Sequence, residues 1–76
     1  MVHRKTRRAE ATKFGAVVRR LREERGLTQE ELAERAGMSA TYVGFVERGD
    51  NVPTLTILLQ LAEAFDISPS ELLRAF

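Results

Sequence analysis

The chain has 76 residues, of which 43% are hydrophobic and 30% are charged, with no cysteine and a single histidine. That length suits one domain with a small core, and the absence of cysteine excludes disulfides and thiolate metal sites. No apolar run has the length of a signal peptide or of a membrane span, so we expect a cytoplasmic protein without a membrane partner.

The net charge of +1 conceals an uneven distribution along the chain. Residues 1–25 carry nine Lys or Arg against three Glu, whereas residues 26–76 carry three Arg against eight acidic residues. A basic end of this kind predicts an anionic partner. A solvated basic tail is the alternative reading of the same composition.

The first part of the chain is predicted to be a basic arm followed by one long helix. Residues 1–9 have almost no apolar content, and we expect them to be disordered. Helix 1 is predicted from Glu10 to Arg25, or from a later start if Thr12 is its cap. Its buried stripe follows from apolar residues at helical spacing, which are Phe14, Val17, Val18 and Leu21.

Two short helices joined by a tight turn are predicted next, at about residues 29–36 and 40–48. Thr28 and Glu31 have the spacing of a capping box, in which each satisfies a free backbone N–H of the other. Gly37 supplies the left-handed conformation that ends the first of these helices. A glycine turn of this length sets two helices at the steep angle of a helix-turn-helix.

The remaining sequence predicts two more helices. Thr54 caps helix 4, at about residues 55–65, and its apolar residues lie on more than one face. Ser68 and Glu71 form a second capping box, at the start of helix 5. The predicted fold is therefore all-α, a compact five-helix bundle that covers residues 10–76.

After Leu27 the chain reads TQEELAERAGMSATYVGFVERG, followed by PTL and then LLQLAEAF. This pattern resembles the phage-repressor helix-turn-helix family, of Cro/CI or Xre type, over roughly residues 14–73. The resemblance implies a transcriptional regulator that binds double-stranded DNA. It would act as a homodimer on a palindromic operator, with helix 3 (about residues 40–48) in the major groove.

The resemblance also implies which residues contact DNA. The bases would be read from helix 3 and its cap by Ser39, Ala40, Thr41, Gly44 and Phe45. For the DNA backbone, the resemblance implies contacts from Gln29 and from the loop near Asn51. The chemistry and position of Tyr42, Arg48, Arg7 and Arg8 make them further candidates for backbone contacts. None of the five base-reading residues is a Gln, Asn or Arg, the types that make bidentate base contacts. Sequence preference would then rest more on DNA shape and on methyl contacts.

Two structural pairings complete the expectations. In the resembling family the residues that match Arg22 and Glu47 form an ion pair, so we expect a partly buried pair here; two independent surface charges are the alternative. The second pairing is between copies of the chain, through apolar residues that we expect to be exposed: Phe65, Ile67, Leu73 and Phe76.

No enzyme activity, cofactor or metal site is expected. The single histidine, His3, lies in the basic arm, and no glycine-rich loop has the spacing of a phosphate-binding motif. The alternative function is a helical protein-interaction module of the same fold, antitoxin-like or adaptor, with little DNA binding. Its support is the acidic C-terminal half and the weakly polar outer face of helix 3.

Overall fold

The computed structural model describes residues 4–74 and 76, with side chains from residue 8 onward. These residues form five helices and no strand: α1 (Arg4–Glu24), α2 (Gln29–Ala36), α3 (Ala40–Arg48), α4 (Leu55–Ala64) and α5 (Pro69–Arg74). The prediction of an all-α five-helix fold is confirmed. Among the described helices, none combines the length and the apolar character that crossing a membrane requires.

Helix α1 begins at Arg4, six residues before the predicted start at Glu10. Residues 4–9, which we expected to be disordered, are therefore helical. Low apolar content was a poor guide here, because Arg, Lys and Ala are good helix formers and extend a helix that is already anchored by packing. Among the residues of that helix whose side chains are described, from residue 8 onward, the first buried one is Ala11, which is 2% exposed. The expectations for residues 1–3, including His3, lie outside the described residues.

The core is made of apolar side chains from all five helices. The largest of those that are less than 2% exposed are Val18 from α1, Leu32 from α2, Val43 and Val46 from α3, Leu61 from α4 and Leu72 from α5. Burial of each such side chain is worth about 1.5–3 kcal/mol. The predicted stripe of α1 is buried as well, and it packs against α3.

The two helices α1 and α3 approach each other closely at Gly15. A Cβ atom on Gly15 would overlap the carbonyl oxygen of Val46 and lie 2.6 Å from that of Glu47. This role of Gly15 was not among the expectations from sequence. A glycine inside an otherwise apolar helical stripe was the available signal, since such a residue weakens a helix unless close packing requires it.

Local capping interactions set the helix starts. Thr28 Oγ1 accepts a hydrogen bond from Glu31 N at 3.0 Å, and Glu31 Oε1 accepts one from Thr28 N at 2.8 Å. The hydrogen bond from the Thr28 backbone N–H to the Glu31 carboxylate is the main cause of a lowered pKa at Glu31, and the Thr28 side chain lowers this pKa further. The equivalent bonds between Ser68 and Glu71 begin α5. Both capping boxes were predicted because they depend only on residues three positions apart.

Candidate nucleic-acid interface

The turn between α2 and α3 determines how α3 is presented. Gly37 adopts a left-handed conformation (φ 71°), and Met38 N donates to Ala33 O at 3.0 Å. Ala33 and Ala36 are almost fully buried, so their small side chains allow α3 to pack closely against α2. Ser39 Oγ then accepts a hydrogen bond from Tyr42 N at 3.0 Å and starts α3.

One face of α3 lies in the core and the opposite face is open. Val43 and Val46 are 0% and 1% exposed, whereas Ser39, Thr41 and Phe45 are exposed. These last three belong to the set that we expected to read bases. Ala40, another member of that set, is half-buried and packs against the core.

Gly44 does not face outward as expected, because the side chain of Arg48 lies across it. A Cβ atom on Gly44 would be 3.1 Å from Arg48 Nη1 and 3.9 Å from Gln29 Nε2. The residue is therefore buried beneath its own helix neighbour. It provides room for a side chain and offers no surface of its own to a base.

Arg48 is held by two neighbours on the outer surface. Its guanidinium carbon lies 5.3 Å from the centre of the Phe45 ring, which is a cation–π distance. Its Nε atom donates to Asp50 Oδ2 at 3.0 Å. The Arg48 and Asp50 side chains are more than half exposed, so the pair lies at the surface beside the open face of α3.

A partly buried polar network joins α1, the start of α2 and the end of α3. Arg22 Nε and Nη2 donate to the two carboxylate oxygens of Glu47 at 2.6 and 3.1 Å, and Arg22 Nη1 donates to Leu27 O at 2.8 Å. The side chains of Arg22 and Glu47 are 13% and 3% exposed. The hydrogen bond to Glu47 is the main cause of a raised pKa at Arg22. The pair that the resemblance implied is therefore present, with the bidentate geometry of an arginine–carboxylate contact.

The same network orients Gln29. Its Nε2 atom donates one hydrogen to Glu47 Oε1 at 3.1 Å, which leaves the second amide hydrogen available. Gln29 is the first residue of α2, where free backbone N–H groups and the helix dipole favour an anion. Glu47 thus fixes the position of a hydrogen-bond donor beside the open face of α3.

The other residues that we expected at the DNA backbone are more scattered. Tyr42 is half-buried and packs against the core, Asn51 is exposed in the loop after α3, and Arg8 is exposed on α1. Arg7 lies on α1, and its side chain is outside the described set. In the described part of the chain, no three His, Cys, Asp or Glu residues are grouped as a metal ion would require.

The apolar residues that we expected between two copies do not form one exposed surface. Phe65 is 3% exposed and lies in the core, with the Arg25 guanidinium carbon 5.1 Å from its ring centre, so the expectation of an exposed Phe65 is wrong. Ile67 is half-buried, and Leu73 is 50% exposed. Phe76 is already partly covered by α1, because its ring is edge-on to Phe14 with ring centres 6.3 Å apart.

Two exposed leucines on α4 were missed. Leu55 is 71% exposed and Leu59 is 45% exposed, and the four-residue spacing puts both on one face of the helix. Leu59, Ala62 and Ile67 help to line a cleft of about 520 Å³ between α4 and α5. Apolar residues on more than one face of this helix indicated that some of them are exposed. Periodicity alone did not tell which face is buried.

Comparison with known proteins agrees with this architecture. A family model described as helix-turn-helix matches residues 18–72. The uncharacterized HTH-type transcriptional regulator y4dJ of Sinorhizobium fredii is 47% identical over 58 residues, which are 76% of this chain and 75% of that protein. The control protein C.SmaI of Serratia marcescens is 45% identical over 74% of this chain and 67% of its own length.

A solved structure extends the similarity to three dimensions. The restriction-modification controller protein C.AhdI of Aeromonas hydrophila superposes with a TM-score of 0.81 at 48% identity, over 84% of this chain and 97% of that one. The family match covers most of the chain, and it coincides with the helices that carry the caps, the glycine turn and the Arg22–Glu47 pair. The chain therefore belongs to the Cro/CI (Xre-type) helix-turn-helix family of transcriptional regulators.

Proposed function

We propose that this chain is a sequence-specific regulator that binds double-stranded DNA as a homodimer, with α3 in the major groove of each half-site. The observation that carries the proposal is the open face of α3, which the Arg22–Glu47–Gln29 network fixes beside the start of α2. In a helix-turn-helix protein these two elements contact the bases and the DNA backbone, respectively.

Base reading is assigned to the exposed residues at the start and along the outer face of α3. Ser39 keeps its hydroxyl hydrogen for a base edge, since its oxygen only accepts in the cap. Thr41 can donate, accept or contact a thymine methyl group, and Phe45 offers apolar contact. Ala40 contributes only the part of its methyl group that remains exposed, and Gly44 leaves the reading set because Arg48 covers it.

Backbone contacts are assigned to donors around that face. Gln29 would give its second amide hydrogen to a phosphate oxygen, together with the free N–H groups at the start of α2. The Tyr42 hydroxyl, Asn51 and the basic residues Arg7 and Arg8 of α1 complete the proposed set. The sequence expectation also put Arg48 on the backbone; its surroundings support a different role, which is argued below.

Selection of bound sequences from a random DNA pool at two salt concentrations tests this function. We expect a palindromic consensus with half-sites about 34 Å apart. We also expect the binding constant to fall with salt, with a log–log slope of about −0.9 per phosphate neutralised. The double variant Thr41→Ala/Phe45→Ala should change the consensus, and Thr56→Ala on α4 is the control that should leave it unchanged.

The alternative, a protein-interaction module of the same fold, predicts a different result. Its specific support is the weakly polar outer face of α3 and the exposed acids Glu30 and Glu34 on the neighbouring helix. Such a module would enrich no DNA sequence at either salt concentration. The same selection therefore distinguishes the two functions.

The proposed homodimer is assigned to the α4–α5 side of the molecule. Of the residues that we expected there, Ile67, Leu73 and Phe76 remain candidates, and the exposed leucines of α4 join them. We expect Leu55→Lys/Leu59→Lys to convert a dimer into a monomer without unfolding it, because both side chains are exposed. Sedimentation at tens of micromolar measures this, with Thr56→Lys, which adds a single lysine at an exposed position of α4, as the control. A wild-type protein that sediments as a monomer would contradict the proposal.

A further inference from the structure

We propose that Arg48 reads a guanine in the major groove and that Phe45, Gly44 and Asp50 hold its guanidinium for that purpose. The inference rests on the proposed function, and it assigns to Arg48 a base contact in place of a backbone contact. It also supplies the strong hydrogen-bond reader that the outer face of α3 otherwise lacks.

The position of the Arg48 guanidinium supports a base contact. Arg48 follows Phe45 by three residues, so the two share one face of α3. Phe45 is on the exposed face, and the guanidinium carbon of Arg48 lies over its ring, 5.3 Å from the ring centre. The charged group therefore lies beside the surface that would enter the groove.

The Nη groups of Arg48 remain available as hydrogen-bond donors. Asp50 accepts only from Nε of Arg48, and neither Nη group has a hydrogen-bond partner in the described part of the chain. The two Nη groups are adjacent in one rigid plane, and guanine presents O6 and N7 as a matching pair of acceptors. The cation–π contact with Phe45 is compatible with this base contact, because it uses none of the guanidinium N–H donors as a hydrogen bond.

Gly44, which lies beneath the Arg48 side chain, also supports this contact. Gly44 is helical, and the glycines with a positive φ are Gly26, Gly37 and Gly49, so its backbone conformation does not require glycine. Alanine would favour the helix. What glycine does provide is room, because a Cβ atom would lie 3.1 Å from Arg48 Nη1.

The negative charge of Asp50 favours a base over a phosphate as the partner of Arg48. The Asp50 carboxylate is 3.0 Å from Arg48 Nε, and its negative charge opposes the approach of a phosphate to that guanidinium. A base edge carries only partial charges, so this repulsion is weaker for a base than for a phosphate. Phe45 lies next to the guanidinium and can contact a methyl group, so we expect the guanine to be adjacent to a thymine.

Selection of bound sequences with wild type, Arg48→Ala, Gly44→Ala and the control Arg35→Ala tests the inference. The wild type should prefer guanine at one position of each half-site by about 5- to 150-fold, as expected for a bidentate contact. Arg48→Ala should lose that preference while keeping the others, with an unchanged salt slope. Gly44→Ala should weaken preference at the same position only, and Arg35→Ala, which changes an exposed arginine on α2, should change no position.

Two results would overturn the inference in distinguishable ways. If Arg48→Ala weakened all sequences equally and reduced the salt slope by about 0.9 for each site lost, Arg48 would be a phosphate contact. In that case the proposed function would stand. If the wild type selected no sequence at either salt concentration, the proposed function would fail and the inference would fail with it.

Discussion

The variant Glu47→Ala is expected to lose about 3 kcal/mol of its free energy of unfolding, because breaking an ion pair that is largely withdrawn from solvent leaves one charge without a partner. Arg22, whose side chain is 13% exposed when Glu47 is present, would keep only Leu27 O as an acceptor. Gln29 would lose the acceptor of its amide as well. A domain of this size has only a few kcal/mol of stability, so a large fraction would be unfolded at room temperature.

Urea unfolding at neutral pH measures this loss, and the chain offers a matched control. Glu23 pairs with Arg19 at 3.2 Å, but both side chains are more than half exposed. Glu23→Ala should therefore cost no more than about 0.5 kcal/mol. The double variant Arg22→Met/Glu47→Leu should lose less than Glu47→Ala, since it removes the charge along with its partner. Equal costs for Glu47→Ala and Glu23→Ala would show that the pair does not fix the fold.

The variant Gly15→Ala is expected to lose about 2 kcal/mol, although alanine is a better helix former than glycine by about 1 kcal/mol. The new Cβ atom would overlap the carbonyl oxygen of Val46 and lie 2.6 Å from that of Glu47. Both atoms belong to the backbone of α3, so relief requires a shift of one helix against the other. The steric cost exceeds the gain in helix propensity for this reason.

Gly44→Ala is the control for Gly15→Ala, because it makes the same change inside another helix. Its new Cβ atom would meet the end of the flexible Arg48 side chain at 3.1 Å, and that side chain can move. We expect its stability to be unchanged or raised by up to about 1 kcal/mol. Thermal unfolding of the two variants measures the contrast, and similar changes at both glycines would contradict the close approach of α1 and α3.

The helix-turn-helix itself could be predicted from sequence because its signals are local. Thr28 and Glu31 are three residues apart, and Gly37 lies at the end of the helix that they start, so pattern alone gave both ends of α2. The start of α1 could not be found in this way. Apolar content measures packing, whereas the helix at residues 4–9 continues from a packed segment.

The remaining errors concern which way a side chain points. Hydrophobic spacing could not decide whether Phe65 lies in the core or on the surface, since α4 is apolar on more than one face. At Gly44 the deciding contact is made by Arg48, a long side chain that folds back over its own helix. Hydrophobic spacing contains no information about the conformation of such a side chain, so the cover over Gly44 could only be seen in three dimensions.

The two faces of α3 have a consequence for divergence among related regulators. Val43, Val46 and Glu47 hold the helix in the fold, whereas Thr41 and Phe45 contribute little to it. Substitutions at exposed positions of this kind usually change stability by no more than about 0.5 kcal/mol. With the base contacts proposed for Thr41 and Phe45, operator preference can drift by single substitutions while the scaffold stays intact. A gene duplicate could then acquire a new set of target promoters without losing its fold.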